Sequence, residues 1–341
     1  MNRIIASLIL FCATSLGAPQ PVSAITIDTV AIGNVGNTPD PTVMTDGTSG
    51  YGSVAYAYRI GTYEVTNAQY AAFLNAKAKS DPLTLWSENM GGNARGGITR
   101  SGTAPNRIYT TKPGMDNKPV NYVTWYDAIR FTNWLHNGQG NGDTETGAYT
   151  LLGGTIFPSN GASITRNSGA LWFLPSENEW YKAAFHQPAA QGGDGDDYWA
   201  YPNASNTAPT IAAATTLGDI SNPGVNVSNY ADGADWNGQD GNVTTVGSAG
   251  PLSAGFYGTF DQGGNVVEWN ETIISSLRGA RGADWTSNLN RMLSSDRPPA
   301  NPVGQNGFVG FRVARVPEPD TLALTCIAFC IVALWWQRHF K

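Results

Sequence analysis

Asp261 and Glu268 flank the turn-forming run Gly264-Asn265-Val266. A hard cation such as calcium takes carboxylate oxygens together with backbone carbonyls from a turning chain, so this pattern suits one. Acidic, glycine-rich loops are also often plain solvated surface, and residue types alone leave both readings open. Redox chemistry is more constrained. The three cysteines, Cys12, Cys326 and Cys330, all lie near the ends, so residues 25–315 hold neither a thiol nor a disulfide. Soft copper takes thiolate, and none is there. That stretch has two histidines, His136 and His186. A non-heme iron site needs two histidines and a carboxylate to converge, so iron is not expected. No carboxylate pair stands out for hydrolysis.

The elements that must position these groups announce themselves mainly as helix starts. Thr66-Asn67-Ala68-Gln69, Thr124-Trp125-Tyr126-Asp127 and Ser176-Glu177-Asn178-Glu179 each place a hydroxyl three residues before a side chain that bonds back to the cap. The second of these runs into Ile129, Phe131, Trp134 and Leu135 and stops at His136-Asn137-Gly138, where glycine takes the left-handed turn past a helix end. Alternation at 51–60 reads as a strand, as do 244–248, 278–285 and 307–315. Between these lie glycine- and asparagine-rich stretches. Eleven tryptophans and few charges describe a loop-rich α+β domain pinned by buried aromatics, not a disordered chain. Twenty Lys and Arg against 26 Asp and Glu leave the chain mildly acidic, which argues against a nucleic-acid partner.

The two ends read as sorting signals. Asn2-Arg3 precedes the uncharged run Ile4 to Leu16, and Val22-Ser23-Ala24 is a small-x-small site, so signal peptidase is expected to cut after Ala24. At the other end Pro317-Glu318-Pro319 leads into the apolar run 321–336 and a basic finish with Arg338 and Lys341. At 1.5 Å per residue that run reaches about 24 Å, short for a membrane span. The tail resembles the PEP-CTERM signal. That resemblance implies an exosortase cutting near Pro317 to Pro319, transient inner-membrane anchoring by 321–336, and a Gram-negative bacterium that exports the protein to its surface or surroundings. The expected division is 1–24 signal peptide, 25–59 N-terminal strands, 60–315 main domain and 316–341 sorting tail.

The main domain carries Tyr63-Glu64-Val65-Thr66-Asn67-Ala68-Gln69-Tyr70, Pro119-Val120-Asn121-Tyr122-Val123-Thr124-Trp125, Leu174-Pro175-Ser176-Glu177-Asn178-Glu179-Trp180, Gly264-Asn265-Val266-Val267-Glu268-Trp269, Arg281-Gly282-Ala283-Asp284-Trp285 and Gly310-Phe311-Arg312-Val313-Ala314, in that order. Together they resemble the landmarks of the sulfatase-modifying factor, or formylglycine-generating enzyme, family. The resemblance implies a fold related to the C-type lectins. It implies one calcium held by the Asp261 and Glu268 side chains with the Gly264 and Val266 carbonyls. A second would be held by the Asn229 and Asp240 side chains with the Tyr230 and Asn242 carbonyls. Glu64, Trp125, Trp180, Trp269 and Trp285 read as cap partners and core aromatics, Arg281 and Arg312 as internal carboxylate partners. Active members of the family hold copper on a cysteine pair after the Arg281-Gly282 landmark, where this chain has Ser287, Met292, Ser294 and Ser295. Two functions stay open: a non-catalytic surface or matrix module binding exopolysaccharide or a surface protein, and an oxidoreductase of the formylglycine or non-heme iron type with altered ligands.

Overall fold

The computed structural model describes residues 24–317; Glu318, Pro319, the run 321–336 and all three cysteines lie outside the described residues. Among the described residues there are four α-helices: α1 (Asn67–Lys77), α2 (Glu88–Gly92), α3 (Trp125–His136) and α4 (Glu177–Phe185). Three of them start as the sequence requires. Thr66 Oγ1 accepts from the Gln69 amide, and Gln69 Oε1 accepts from the Thr66 amide. Thr124 and Asp127 exchange the same pair of bonds at 3.0 and 2.9 Å, and Ser176 and Glu179 at 3.2 and 2.6 Å. Each box satisfies two amides that the first helical turn leaves without partners. α3 ends at His136, with Gly138 at φ 82° just beyond. Every residue of α3 except His136 is buried. The five-residue α2 is too short to show a helical period and was not legible beforehand.

The strands are β1 (Thr29–Ile32), β2 (Tyr58–Gly61), β3 (Ile98–Ser101), β4 (Ile108–Thr111), β5 (Trp172–Phe173), β6 (Thr210–Ile211), β7 (Val227–Ser228), β8 (Val267–Ile274), β9 (Leu277–Arg281), β10 (Pro299–Ala300), β11 (Val309–Gly310) and β12 (Ala314–Arg315). One four-stranded sheet runs β1-β2-β12-β5 and a second runs β10-β9-β8-β11, while β3-β4 and β6-β7 are two-stranded ribbons. The expected strand at 51–60 shrinks to β2, because Gly52 turns the chain at φ 85°. No strand forms at 244–248. The Thr244 amide donates instead to the Asn265 side chain, at 2.8 Å, and the Val246 amide to the Asn117 carbonyl.

The expected strand at 307–315 is divided between the two sheets. β11 pairs with β8 in the second sheet and β12 pairs with β2 in the first. Residues 311–313 form the crossover, held by the Gly61 amide on the Val313 carbonyl (2.7 Å) and the Val65 amide on the Phe311 carbonyl (2.9 Å). Phe311 enters an aromatic core with Tyr70, Phe73, Phe131 and Trp134, whose ring centroids lie 5.3–6.4 Å apart in mostly tilted and edge-on pairs. Three fully buried indoles find acceptors, Trp125 on the Asn270 carbonyl, Trp269 on the Val123 carbonyl and Trp180 on the Glu268 carboxylate, while the buried Trp285 indole has none among the described residues.

Candidate functional site

The crossover sets Arg312, fully buried, against Glu268 on β8, also fully buried. Register explains the meeting, since Gly310 lies opposite Glu268 in the parallel β11–β8 pair. Arg312 Nη2 reaches Glu268 Oε1, and Nε reaches Oε2, each at 2.5 Å. The Trp180 indole adds a third donor to Oε2 at 2.7 Å. The remaining guanidinium donors go to the carbonyls of Gly61 (3.0 Å), Thr62 (3.3 Å) and Phe260 (2.8 Å). One side chain therefore ties together the end of β2, the loop before β8 and β8 itself. Arg281 plays a parallel part beside it, with Nε on Glu177 at 2.5 Å. Both arginines are internal carboxylate partners, as the sequence suggested.

Two more carboxyls face this pair. Glu64 is 2% exposed; its Oε1 accepts from Asn265 Nδ2 at 3.1 Å and its Oε2 has no partner among the described residues. Asp261, at φ 59°, accepts from the Gly247 amide at 2.6 Å. Burial first, and then the charge of Asp261, pushes the Glu64 carboxyl far above the usual range. Burial pushes Asp261 up as well, with the charge of Glu268 adding to it and Arg312 opposing. Three carboxyls thus share one guanidinium. Such a surplus of buried negative charge is relieved by a proton or by a cation. Glu64 is the site residue that sequence reasoning missed as a possible ligand. The signal for it was its place directly ahead of the α1 cap, read there as structural.

Asn265 joins this cluster to the Asn229 loop. It sits at φ 63°, donates to Glu64, accepts from the Thr244 amide and donates its own amide to the Asn229 carbonyl at 2.8 Å. Gly264 beside it has φ 100°, and a Cβ there would come within 2.3 Å of the Asn229 carbonyl oxygen, so only glycine fits. Asn229 is buried, with Nδ2 on the Asn242 carbonyl at 2.8 Å and Oδ1 unpartnered among the described residues. Asn242 is fully buried. The Tyr230 carbonyl accepts from the Gly233 amide. Asp240 stands apart: its side chain is exposed and its carbonyl accepts from Arg95 at 2.8 Å. The structure thus gathers Asp261, Gly264, Val266 and Glu268 on one segment and Asn229, Tyr230 and Asn242 near it. Both Glu268 oxygens are, however, already engaged by Arg312 and Trp180. No group of three or more His, Cys, Asp or Glu side chains is arranged as a ready metal cluster among the described residues. A cation here would rest on carbonyl and amide oxygens as much as on carboxylates.

The segment 281–297 is built differently from a thiolate site. The Ser287 hydroxyl donates to Asp284 at 2.8 Å, and Met292 is buried against Tyr201, Tyr230 and Ala283. The Ser294 and Asp296 carbonyls accept from Arg281 at 2.7 and 2.6 Å. Beside it opens a cleft of about 250 Å³ whose walls include Asp40, Asp194, Asp196, Trp199, Asn206 and Ser294. The two histidines serve different neighbours. His136 Nδ1 accepts from the Leu171 amide at 3.0 Å. His186 Nδ1 lies 2.7 Å from the Tyr257 hydroxyl, and burial pushes its imidazole down to about 4, with the charge of Lys182 helping.

The profile of the sulfatase-modifying factor enzyme 1-like domain matches residues 43–317. A relative, the chaperone protein LppX of Paenibacillus barcinonensis, is 26% identical over 217 residues, spanning 59% of this chain and 70% of that protein. Among solved structures, the Treponema denticola variable protein 1 aligns with a TM-score of 0.57 at 19% identity, over 87% of this chain and 97% of its own. CarF aligns with a TM-score of 0.52 at 21% identity, over 86% of this chain and all of its own. These likenesses establish the fold, and the α+β, formylglycine-generating-enzyme-like architecture expected from the sequence is borne out.

Removing one partner of a buried ion pair strands the other charge, at a cost of about 3–5 kcal/mol. Arg312→Met is therefore expected to lower unfolding free energy by about that much in a urea titration. Adding Glu268→Leu removes the stranded carboxylate and is expected to recover part of it, but not the share from the Gly61, Thr62 and Phe260 carbonyls or from the Trp180 indole, which then lacks its acceptor. A loss below about 1 kcal/mol for Arg312→Met would show that the pair does not hold the crossover.

Proposed function

The chain belongs to the sulfatase-modifying factor enzyme 1-like domain family, and from that membership we propose that it acts as an exported, non-catalytic binding or structural module. The observation that carries this reading is the composition of the segment after Arg281. It offers Ser287, Met292, Ser294 and Ser295 where copper chemistry needs thiolate, and residues 24–317 contain no cysteine at all. A neutral thioether cannot replace an anionic sulfur as ligand or base. The residues present do not fit a copper–thiolate centre, and no step is assigned through one. The neighbouring cleft, with its carboxylates, indole and amide, supports contact with a polysaccharide or a surface protein.

Calcium is a structural part of this reading. The surplus of negative charge among Glu64, Asp261 and Glu268, and the unpartnered Glu64 Oε2 and Asn229 Oδ1, support one or two ions. Asp261 and Glu64, with the Gly264 and Val266 carbonyls and a share of Glu268, would hold the first. Asn229 with the Tyr230 and Asn242 carbonyls would hold the second. Bound there, calcium neutralises charge and fastens the loops ahead of β8.

Export by signal peptidase and sorting by exosortase complete the proposal. Ala24 and Pro317 are both exposed, so cuts beside them spare the folded core. The destination is the surface or surroundings of a Gram-negative cell, after transient anchoring by 321–336.

Three outcomes test these points. Incubated with copper, reductant and a sulfatase-type cysteine peptide, the protein should form no aldehyde by mass spectrometry; turnover above a metal-only control would make it an oxidase. Calcium should raise the melting temperature, with about 2.7 kcal/mol of stabilisation at a hundred times the dissociation constant. Asp261→Ala should remove most of that rise, and a melt that ignores both calcium and chelator would sink the cation site. Intact mass of protein released by the native host should begin near Ile25 and lack Cys326 and Cys330; finding both cysteines in released material rules out the sorting cut.

A further inference from the structure

On a chain of net charge −6, one lobe carries the opposite sign. Residues 77–118 hold seven Lys and Arg against three Asp and Glu, while the rest of 24–317 holds ten against 21. The end of α1, α2 and the β3–β4 ribbon pack as one unit here. Asn75 on α1 exchanges two bonds with Tyr109 on β4, at 2.7 and 2.9 Å, and the Trp86 indole donates to the Ile98 carbonyl at 2.9 Å.

The cations of this lobe find carbonyls, not carboxylates. Lys77 Nζ donates to the Asn141 carbonyl at 3.2 Å, Arg107 Nη1 to Ser80 at 2.9 Å and Lys112 Nζ to Asn93 at 2.7 Å. Arg95 donates to the carbonyls of Gly241 and Asp240, and the buried Lys118 to that of Leu217. Among the described residues only Arg100 of the seven forms an ion pair, at 3.9 Å with Glu88, whose side chain is 90% exposed. An exposed pair of that kind contributes little. Asp81 is buried and accepts from the Leu85 amide at 2.7 Å; Asp116 accepts from the Thr111 hydroxyl. A carbonyl occupies a donor but cancels no charge, so the surplus stays open to an anion.

The surplus is spread out, not gathered at a point. Arg107 and Lys112 flank β4, which places them about 17 Å apart along extended chain. Lys79 sits beside Arg107, whose amide donates to the Lys79 carbonyl at 3.3 Å. The ribbon residues Thr99, Ser101, Ile108 and Thr110 are exposed. Beside the ribbon opens a cavity of about 440 Å³ lined by Arg100, Arg107, Thr84, Ser87, Gln305 and the carboxylates of Asp81 and Glu88. It offers guanidiniums to a carboxylate, and hydroxyl, amide and carboxylate oxygens to hydroxyl groups.

We propose that this lobe binds an acidic polysaccharide, with one sugar-acid residue in the cavity at Arg100 and Arg107 and its neighbours lying along Lys79, Arg107 and Lys112. An anionic lipid surface takes in several apolar side chains, and Ile108 is the one exposed large apolar residue of this lobe. Nucleic acid stacks its bases on aromatic rings, and Trp86 and Tyr109 are buried. The site shares no residue with the cleft beside Ser294, so the two can fail separately.

The full chain in neutral detergent serves for the test. Calorimetry with short polygalacturonate fragments and with dextran sulfate tells a carboxylate polymer from a sulfate one, with uncharged dextran as the blank. At least one acidic polymer should bind, and bind more weakly as salt rises. Lys79→Gln with Arg107→Gln and Lys112→Gln should weaken that binding several-fold. Arg291→Gln, a part-exposed cation outside the lobe, should not. Lys77→Gln with Lys79→Gln gives the same reading if the triple variant melts abnormally. Binding no better than dextran overturns the proposal, as does binding that these variants leave intact or that Arg291→Gln weakens equally. Tighter binding of phosphatidylglycerol vesicles or of a single-stranded oligonucleotide, lost in the same variants, would also overturn it and give the lobe to a lipid or a nucleic acid.

Discussion

The bidentate contact of Arg312 with Glu268 is the constraint on which the rest of the architecture turns. A chain leaving one sheet at Gly310 and entering another at Ala314 has three residues in which to cross. Backbone pairing of Val313 and Phe311 with the segment 61–65 holds the path. The guanidinium between them donates to three carbonyls: Gly61 at the end of β2, Thr62 just after it, and Phe260 in the loop ahead of β8. Without it, each of those carbonyls loses a charge-assisted donor in the interior, although the Thr62 carbonyl keeps the Phe260 amide at 2.9 Å. The ion pair thus answers a hydrogen-bonding problem that the crossover itself creates.

The same contact explains why the neighbourhood is over-supplied with negative charge. Glu268 is already neutralised by Arg312, so Asp261 and Glu64 have only the far side of that guanidinium to answer theirs. Asn265 cannot help with charge. It is a relay, taking one bond from Thr244 and giving one to Glu64, and its left-handed backbone is imposed by the close approach of Gly264 to Asn229. A cation placed among these groups would stiffen two loops at once, because Asn229 and Asn265 already share a hydrogen bond.

What the sequence disclosed and what it hid follow from range. The three capping boxes are complete within four residues, so Thr66, Thr124 and Ser176 were readable one by one. Arg281 and Arg312 were readable as carboxylate partners because a buried guanidinium has few other choices, although Glu177 and Glu268 were not named for them. The strands were less readable. Several are two residues long, and pairing with distant chain, not alternation, defines them. The division of 307–315 between two sheets has no local signature. Glu64 was hidden for a related reason: its surplus charge arises only when the chain folds Asp261 and Glu268 beside it. Asp240 has an exposed side chain, and its carbonyl accepts from Arg95, so no contact ties its carboxylate to the Asn229 loop.

The segment after Arg281 is fastened differently from the crossover. Arg281 anchors the segment after it through the carbonyls of Ser294 and Asp296, not through their side chains. Carbonyls are indifferent to which residue bears them. The path of 281–297 is thus held in part by carbonyls and by Glu177, with the Ser287–Asp284 bond, the buried Met292 and the Arg297–Asp46 pair fastening it further. The Arg312 cluster is the opposite case: there the side chains themselves are the fastening, and Glu268, Trp180 and Arg312 cannot be exchanged singly. Irregular chain is thus held in two ways: by charged side chains at the crossover, and by a guanidinium on backbone carbonyls in the segment after Arg281.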